Sequence, residues 1–320
     1  MWVAIIVAGA LAVLWLAAIP ADFRARRWHH VHIALLVAVV ALYAALKQGA
    51  IDLPALTGAV QLFVECGGVL LVLALLAWGV GTICRNHSYM DIAYPLMSLG
   101  VAAYGLFRSG SGFSLHALLL FALVAVWALR LVSHAVRTNL KVEQEPYASL
   151  RRRYGDRWFV WSFFAVYALQ GAIVWFWTAA LVFAMAAPGG ALTWLSAVGA
   201  VVWLVGFAFQ AVGDWQLKQF KKDPANRGKL MQAGLWSRTR HPNYFGESVM
   251  WAAHYAFALA HPWGWVTLFS PAYVYWFMGY GSAAPGNERH MRKTRPDYDD
   301  YARRVPRMFP RLFAPPGASR

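Results

Sequence analysis

Charge is scarce in this sequence. Only 13% of its 320 residues are Asp, Glu, Lys or Arg, where a soluble domain carries about 25%. That shortage argues against a water-soluble globular chain. Cysteine is limited to Cys66 and Cys84, both within or at the edge of apolar blocks, so no disulfide framework and no metal-binding cysteine spacing is expected. No Gly-x-Gly-x-x-Gly motif and no alternating strand pattern occurs, which excludes a Rossmann nucleotide site. No pair of His residues stands at metal-ligand spacing with a carboxylate, so no metal is expected. The first apolar block, 1–20, lacks a basic segment before it and is instead followed by Arg24, Arg26 and Arg27. That is the order of a signal anchor rather than of a cleaved signal peptide.

What is present is apolar mass in long blocks, 60% hydrophobic and 16% aromatic residues. A bilayer core of about 30 Å asks for about 20 consecutive apolar residues in a helix. The blocks predict an all-α, polytopic membrane bundle of about nine spans, near 1–20, 31–48, 55–80, 89–107, 115–134, 160–185, 192–212, 246–261 and 264–282. The third and sixth are long, so they are tilted or broken. With this count, every Lys and Arg except Lys47 and Arg108 falls on one side. The positive-inside rule then places the N-terminus outside and the C-terminus in the cytoplasm. The net charge of +15 is thereby read as topology and attraction to anionic lipid heads, with no nucleic-acid partner. The spans divide into an N-terminal set, 1–84, and a continuous membrane domain, 85–320, that carries the loops of chemical interest.

Three groups of polar residues stand out. Within the turn 84–91, Asp91 enters a span, and a carboxylate there must be paired. It is either a structural partner of Arg85, a helix N-cap shared with Ser88, or part of a site. Glu65 lies in the apolar third block and is either functional or close to the outer interface. The richest stretch runs from Gln210 to Trp251. Asp214 follows the seventh span. Lys218, Lys221 and Lys222 recur at helical spacing, so a helix extends beyond that span. Asp223-Pro224 signals a turn and Gly234 a tight bend. Then come Trp236, Arg238, Arg240, His241, Asn243, Tyr244 and Glu247. Arg and Lys suit phosphate, Asn and acids suit ribose or amide groups, and Trp and Tyr stack on flat rings. That set fits a dinucleotide, a lipid head group or S-adenosylmethionine. In the tail stand Glu288, His290, Tyr298, Tyr301 and Arg304.

Four segments resemble the steroid 5-alpha-reductase superfamily, in its bacterial branch: RNHSYMDIAYP (85–95), WALRLVSHAVRTN (127–139), RRRYGDRWFVWSFFAVYALQG (151–171) and GDWQLKQFKKDPANRGKLMQAGLWSRTRHPNYFGE (213–247). The resemblance implies an NADPH-dependent membrane reductase that delivers hydride to a carbon–carbon double bond of a lipophilic enone, admitted from the bilayer. It implies cofactor contacts at Asp214, Lys221, Asn243 and Glu247, with Lys229 near the phosphates. Trp236, Arg238, Arg240, His241, Tyr244, Tyr298 and Arg304 complete the expected cofactor wall. Glu65 with Tyr94 is expected to polarise the substrate carbonyl, with Asp91 in reserve. The positions nearest the family's final-helix His and Tyr are Asn287 and Met291. A bacterial inner membrane is the expected location. Two other classes remain. An S-adenosylmethionine-dependent membrane methyltransferase would use Arg240-His241-Pro242-Asn243-Tyr244 together with Glu288, Tyr298 and Tyr301. A non-enzymatic lipid-binding membrane protein is the other.

Overall fold

The computed structural model describes residues 26–49, 52–108 and 113–311, together with Gly9, Val13 and Trp15. The described residues are helical or irregular, with no strand. Most of the expected first span, 1–20, lies outside them. Six helical stretches among them are long and apolar enough to cross a membrane: His29–Lys47, Pro54–Ile83, His87–Arg108, Leu115–Arg137, Tyr147–Trp177 and Trp194–Lys222. Their outward residues are large and apolar, among them Val72, Leu76, Val201 and Leu204. Such surfaces in this number belong against lipid rather than water. The chain is a polytopic helical membrane protein.

It forms two compact units, residues 1–191 with 258–264, and residues 192–257 with 265–320. The first unit holds α1 (Arg26–Lys47), α2 (Pro54–Ile83), α3 (Met90–Arg108) and α4 (Leu115–Asn139). Pro54 opens α2, where its missing N–H is no loss. Ser114 caps α4 by accepting from Ala117 N at 3.2 Å. The hairpin of α3 and α4 is the most extensive helix pairing, followed by α2 with α3. The 30-residue α2 is unbroken and about 45 Å long, well beyond one bilayer core.

The sixth expected block is divided. After α5 (Tyr147–Tyr154), it begins within α6 (Trp158–Ser162), and a π-helical turn follows at Phe163–Ala168. Then come α7 (Leu169–Trp177) and, after Thr178, α8 (Ala179–Met185). Aromatic bulk fixes this segment. Trp175 stacks on Phe63 at 4.8 Å and donates to the Phe63 carbonyl at 2.7 Å, while Trp78 donates to Ser162 Oγ at 3.0 Å.

The second unit is built on α9 (Trp194–Lys222) and α10 (Pro242–Ala258). Thr193 and Ser196 form a capping box that starts α9, and α9 continues through the basic residues to Lys222, as the lysine spacing predicts. Asp223 then caps a 3-10 turn at Pro224–Asn226. The expected spans 246–261 and 264–282 are not long single helices. The first is the 17-residue α10. The second is divided into a 3-10 turn at Gly264–Leu268, α11 (Phe269–Trp276) and a π-turn at Phe277–Gly281. Helices α12 (Ala283–Thr294) and α13 (Tyr298–Arg304) follow.

Helices α9 and α10 run antiparallel in one register. Asp214 meets Asn243, Gln210 meets Glu247, Gly206 meets Met250, and Gly199 meets Phe257. The small residues permit this approach. A Cβ on Gly206 would stand 2.7 Å from the Gly246 carbonyl and 2.8 Å from Met250 N. These are backbone atoms that cannot move aside alone. Gly206→Leu is therefore expected to destabilise the unit by about 3 kcal/mol or more. Thermal unfolding of the detergent-purified variant measures this. An unchanged midpoint would show that the two helices do not meet at this register.

Candidate functional site

In the first unit, the polar residues of the turn after α2 are buried against the segment after α4. Arg85 adopts a positive φ of 50°, and its carbonyl accepts from Arg151. Asn86 caps the turn His87–Tyr89. Asp91 pairs neither with Arg85 nor as an N-cap. Its carboxylate accepts from Asn139 Nδ2 and Tyr147 Oη, both at 2.7 Å. Glu143 accepts from His87 N at 2.8 Å and from Nε and Nη2 of Arg151 at 2.6 and 2.9 Å. Burial alone would raise the Glu143 carboxyl, but Arg151 and the His87 amide hold it below its ordinary range. Sequence reasoning did not single out Asn139, Glu143 or Tyr147. The signal was a small acidic cluster, Glu143 and Glu145, within a strongly basic segment.

Glu65 is not beside Tyr94. Its carboxylate accepts from Gln61 at 2.8 Å, Tyr104 at 3.0 Å, and Arg108 at 3.2 and 3.1 Å. Tyr104 and Arg108 occupy the end of α3, whereas Tyr94 and Asp91 occupy its beginning. Ten residues of helix separate Tyr94 from Tyr104, roughly 15 Å along the axis. The expected Glu65–Tyr94 pair is thus replaced by two separate groups, one at each end of α3. Tyr94 instead lies edge-on to Trp127.

In the second unit, the expected residues fall into two sets. The inner set is saturated. Glu288, on α12, is 1% exposed. It accepts from Arg240 Nε and Nη2 at 3.1 and 2.9 Å, and from Arg307 Nε and Nη2 at 3.0 and 2.8 Å. His241 Nε2 lies 3.3 Å from the same carboxylate. The other end of Arg240 donates to the carbonyls of Ala302 and Val305 at 2.8 and 2.6 Å. Burial would raise the Glu288 carboxyl, but hydrogen bonds from His241, Arg307 and Arg240 outweigh it and hold the acid far below the usual range. His241 is lowered, first by burial, so it is a neutral hydrogen-bonding ring. Arg240 and His241 are therefore organisers of the site rather than open phosphate ligands. Tyr298 and Tyr301 are likewise buried, and Tyr301 donates to the Trp236 carbonyl at 2.6 Å. Glu247 is buried, accepting from Gln210 and from Trp251 Nε1.

The outer set is accessible. Asn243 donates to Asp214 Oδ1 at 3.1 Å, and Tyr244 Oη accepts from Asn287 at 2.6 Å. Asp214, Asn243 and Tyr244 are half-buried, and Asn287 is exposed. Tyr244 stacks on His241, with 5.2 Å between ring centres. Asp214, Lys218 and Lys221 share one face of α9 by their spacing. Lys218, Lys221, Lys222 and Lys229 are exposed and in no ion pair among the described residues. Trp236 donates to the Gly213 carbonyl at 3.0 Å, which folds the 3-10 turn Gly234–Ser237 back on α9. Gly234 has a φ of +61°, as the expected bend requires. Arg238 reaches the Arg311 carbonyl at 3.2 Å, and Arg304 reaches Gln232 at 3.1 Å. The arrangement is a rigid, neutralised interior that presents amide, carboxylate and phenol groups beside uncompensated ammonium groups.

A family described as "Protein of unknown function (DUF1295)" matches residues 77–305, more than half of the chain. Among curated proteins, a "Probable O-methyltransferase ustE" from Ustilaginoidea virens is 39% identical over 62 residues, which is 19% of this chain and 22% of that protein. The chain thus spans under a quarter of the curated relative it matches.

Removing the Glu288 charge would leave Arg240 and Arg307 facing each other without a counter-ion. Glu288→Gln is expected to cost about 3–5 kcal/mol, read as a fall in the thermal midpoint. Because the folded carboxyl lies below its unfolded value of about 4.3, its stabilisation is complete above that pH and is lost as pH falls towards the folded value. The gap between wild type and variant should therefore narrow below about pH 4. A gap independent of pH would show that the carboxylate is not ionised.

Proposed function

Since the chain belongs to the DUF1295 family, associated with steroid 5-alpha-reductase-like membrane proteins, we propose that it is a membrane-embedded reductase. It uses NADPH to reduce a carbon–carbon double bond of a lipophilic enone drawn from the bilayer. The observation that carries this reading is the open face of the second unit. There the Asp214–Asn243 pair and the Tyr244–Asn287 pair adjoin lysines without counter-charge. A cofactor with several phosphates is attracted to such a surface, whereas cationic S-adenosylmethionine gains nothing from it.

In this reading the cofactor's polar groups are held by Asn243, Asp214 and Tyr244, with Lys218, Lys221 and Lys229 around its phosphates. Glu247 acts from behind, fixing α10 through Gln210 and Trp251. The Glu288 cluster keeps the loop 238–241 in place and does not touch the cofactor. NADPH supplies hydride to the electron-poor carbon. Enzyme groups that hold the substrate oxygen stabilise the charge developing there where water is scarce. Of the expected acids, Glu65 already accepts four hydrogen bonds and is not suited to that task. The membrane is, in this reading, a bacterial cytoplasmic one, with the basic loops inside.

A second reading is favoured by one observation, the segment shared with a protein named as a probable O-methyltransferase. There the same face would hold S-adenosylmethionine, and the lysines would serve topology alone.

Thermal unfolding with NADPH or S-adenosylmethionine separates the two, because a ligand that binds the folded state raises its midpoint with concentration. NADPH is expected to raise it, Asn243→Ala to abolish the rise, and Lys221→Glu to weaken it by about tenfold in affinity, or about 1.4 kcal/mol. A rise with S-adenosylmethionine alone would overturn the reductase in favour of methyl transfer.

A further inference from the structure

The first unit contains a cleft of about 360 Å³, within the size range of small-molecule sites. One wall is a single face of α2, from Pro54 through Ala55, Gly58, Gln61 and Leu62 to Glu65, roughly 16 Å of helix. Ala186, Pro188 and His261 line the other side, and Arg108 stands at the Glu65 end. Every polar group but one is already engaged. Glu65 holds four donors, as described above. His261 accepts from Trp263 N at 3.1 Å and hydrogen-bonds the Ala55 backbone.

The exception is Arg108. Glu65 takes its Nε and Nη2 edge, which fixes the guanidinium plane. Tyr104 also hydrogen-bonds the guanidinium; the end-on edge, Nη1 with the second hydrogen of Nη2, makes no hydrogen bond to Glu65, and the side chain is 51% exposed. That edge is a second planar fork of the kind that matches a carboxylate or phosphate. Behind it, the α2 wall is apolar at Pro54, Ala55, Gly58, Ala59 and Leu62.

We propose that this cleft is a binding site for a single-chain anionic amphiphile, with its carboxylate or phosphate on the open edge of Arg108 and its chain along Ala55, Gly58 and Leu62. Glu65 is a positioning residue that holds Arg108 rather than an acid that acts on the ligand. The site is independent of the cofactor reading, since every residue in it belongs to the first unit.

Gly58 gives a direct test. A Cβ there meets nothing within 4 Å, so Gly58→Leu starts its side chain in open space at the cleft wall and removes a helix glycine. The full chain in neopentyl-glycol maltoside micelles would be titrated with decanoate, decanol and inorganic phosphate, following thermal unfolding. Decanoate is expected to raise the midpoint by a few degrees, saturably and well beyond decanol, with no rise from phosphate alone. Gly58→Leu should keep a midpoint at or above wild type and lose the decanoate response. Arg108→Gln should reduce that response to the level of decanol. An equal response to decanoate and decanol in wild type, or a full decanoate response in either variant, would overturn the proposal. So would the absence of any decanoate response in wild type.

Discussion

The second unit depends on one buried carboxylate. Glu288 pairs with both Arg240 and Arg307 and accepts from His241, so residues far apart in sequence converge on two oxygen atoms. A buried ion cluster gains little net stability over apolar packing, yet removing one member leaves unpaired charge. Its value here is geometric. Arg240 uses its remaining donors on the carbonyls of Ala302 and Val305, while Arg307 reaches the Gly279 carbonyl and lies over the Tyr280 ring. The loop before α10, the π-turn, α12 and α13 are held to one arrangement. Tyr244 and Asn243, which follow directly, inherit their positions from it.

The polar residues of this chain thus have three kinds of work. Some are saturated inside and set geometry, as Glu288, Arg240 and Glu247 do, and Glu65 does the same while half-buried. Some close turns against neighbouring helices, as Asp91 does through Asn139 and Tyr147. A smaller number face outward with capacity left over, and these are the ones suited to ligands: Asn243, Tyr244, the α9 lysines and one edge of Arg108. Residue type alone does not sort them, because arginine occurs in both the first group and the last. What sorts them is how many of their donors the fold has already used.

Much of this was legible in the sequence. Apolar blocks revealed the membrane helices because hydrophobic length is set by the bilayer and not by packing detail. The extension of α9, the Asp223 turn and the Gly234 bend followed from local chemistry. The break in 160–185 was an option its length offered, but its place was not legible, and neither was the division of 264–282, because a π-turn within an apolar run leaves no compositional mark. Nor were the partners of Glu65 and Asp91. Each is chosen by which helix ends lie side by side, and nearly three turns of α3 separate Tyr94 from Tyr104. The cluster on Glu288 was visible only as a list of charged residues, with Arg240 read as open to a ligand when its donors are directed inward.

The strand-like contact between the loop and the tail has a consequence for the order in which the molecule can be made. Arg240 N donates to the Pro306 carbonyl, Arg311 N donates to the Arg238 carbonyl, and Thr239 Oγ1 donates to the carbonyls of Arg307 and Met308. The ribosome finishes α10 some fifty residues before it delivers those carbonyls. Until then Arg240 lacks its partners on Ala302, Val305 and Pro306, and the loop before α10 lacks its contacts with the tail. The position of this loop is therefore fixed late in synthesis, by residues at the far end of the chain.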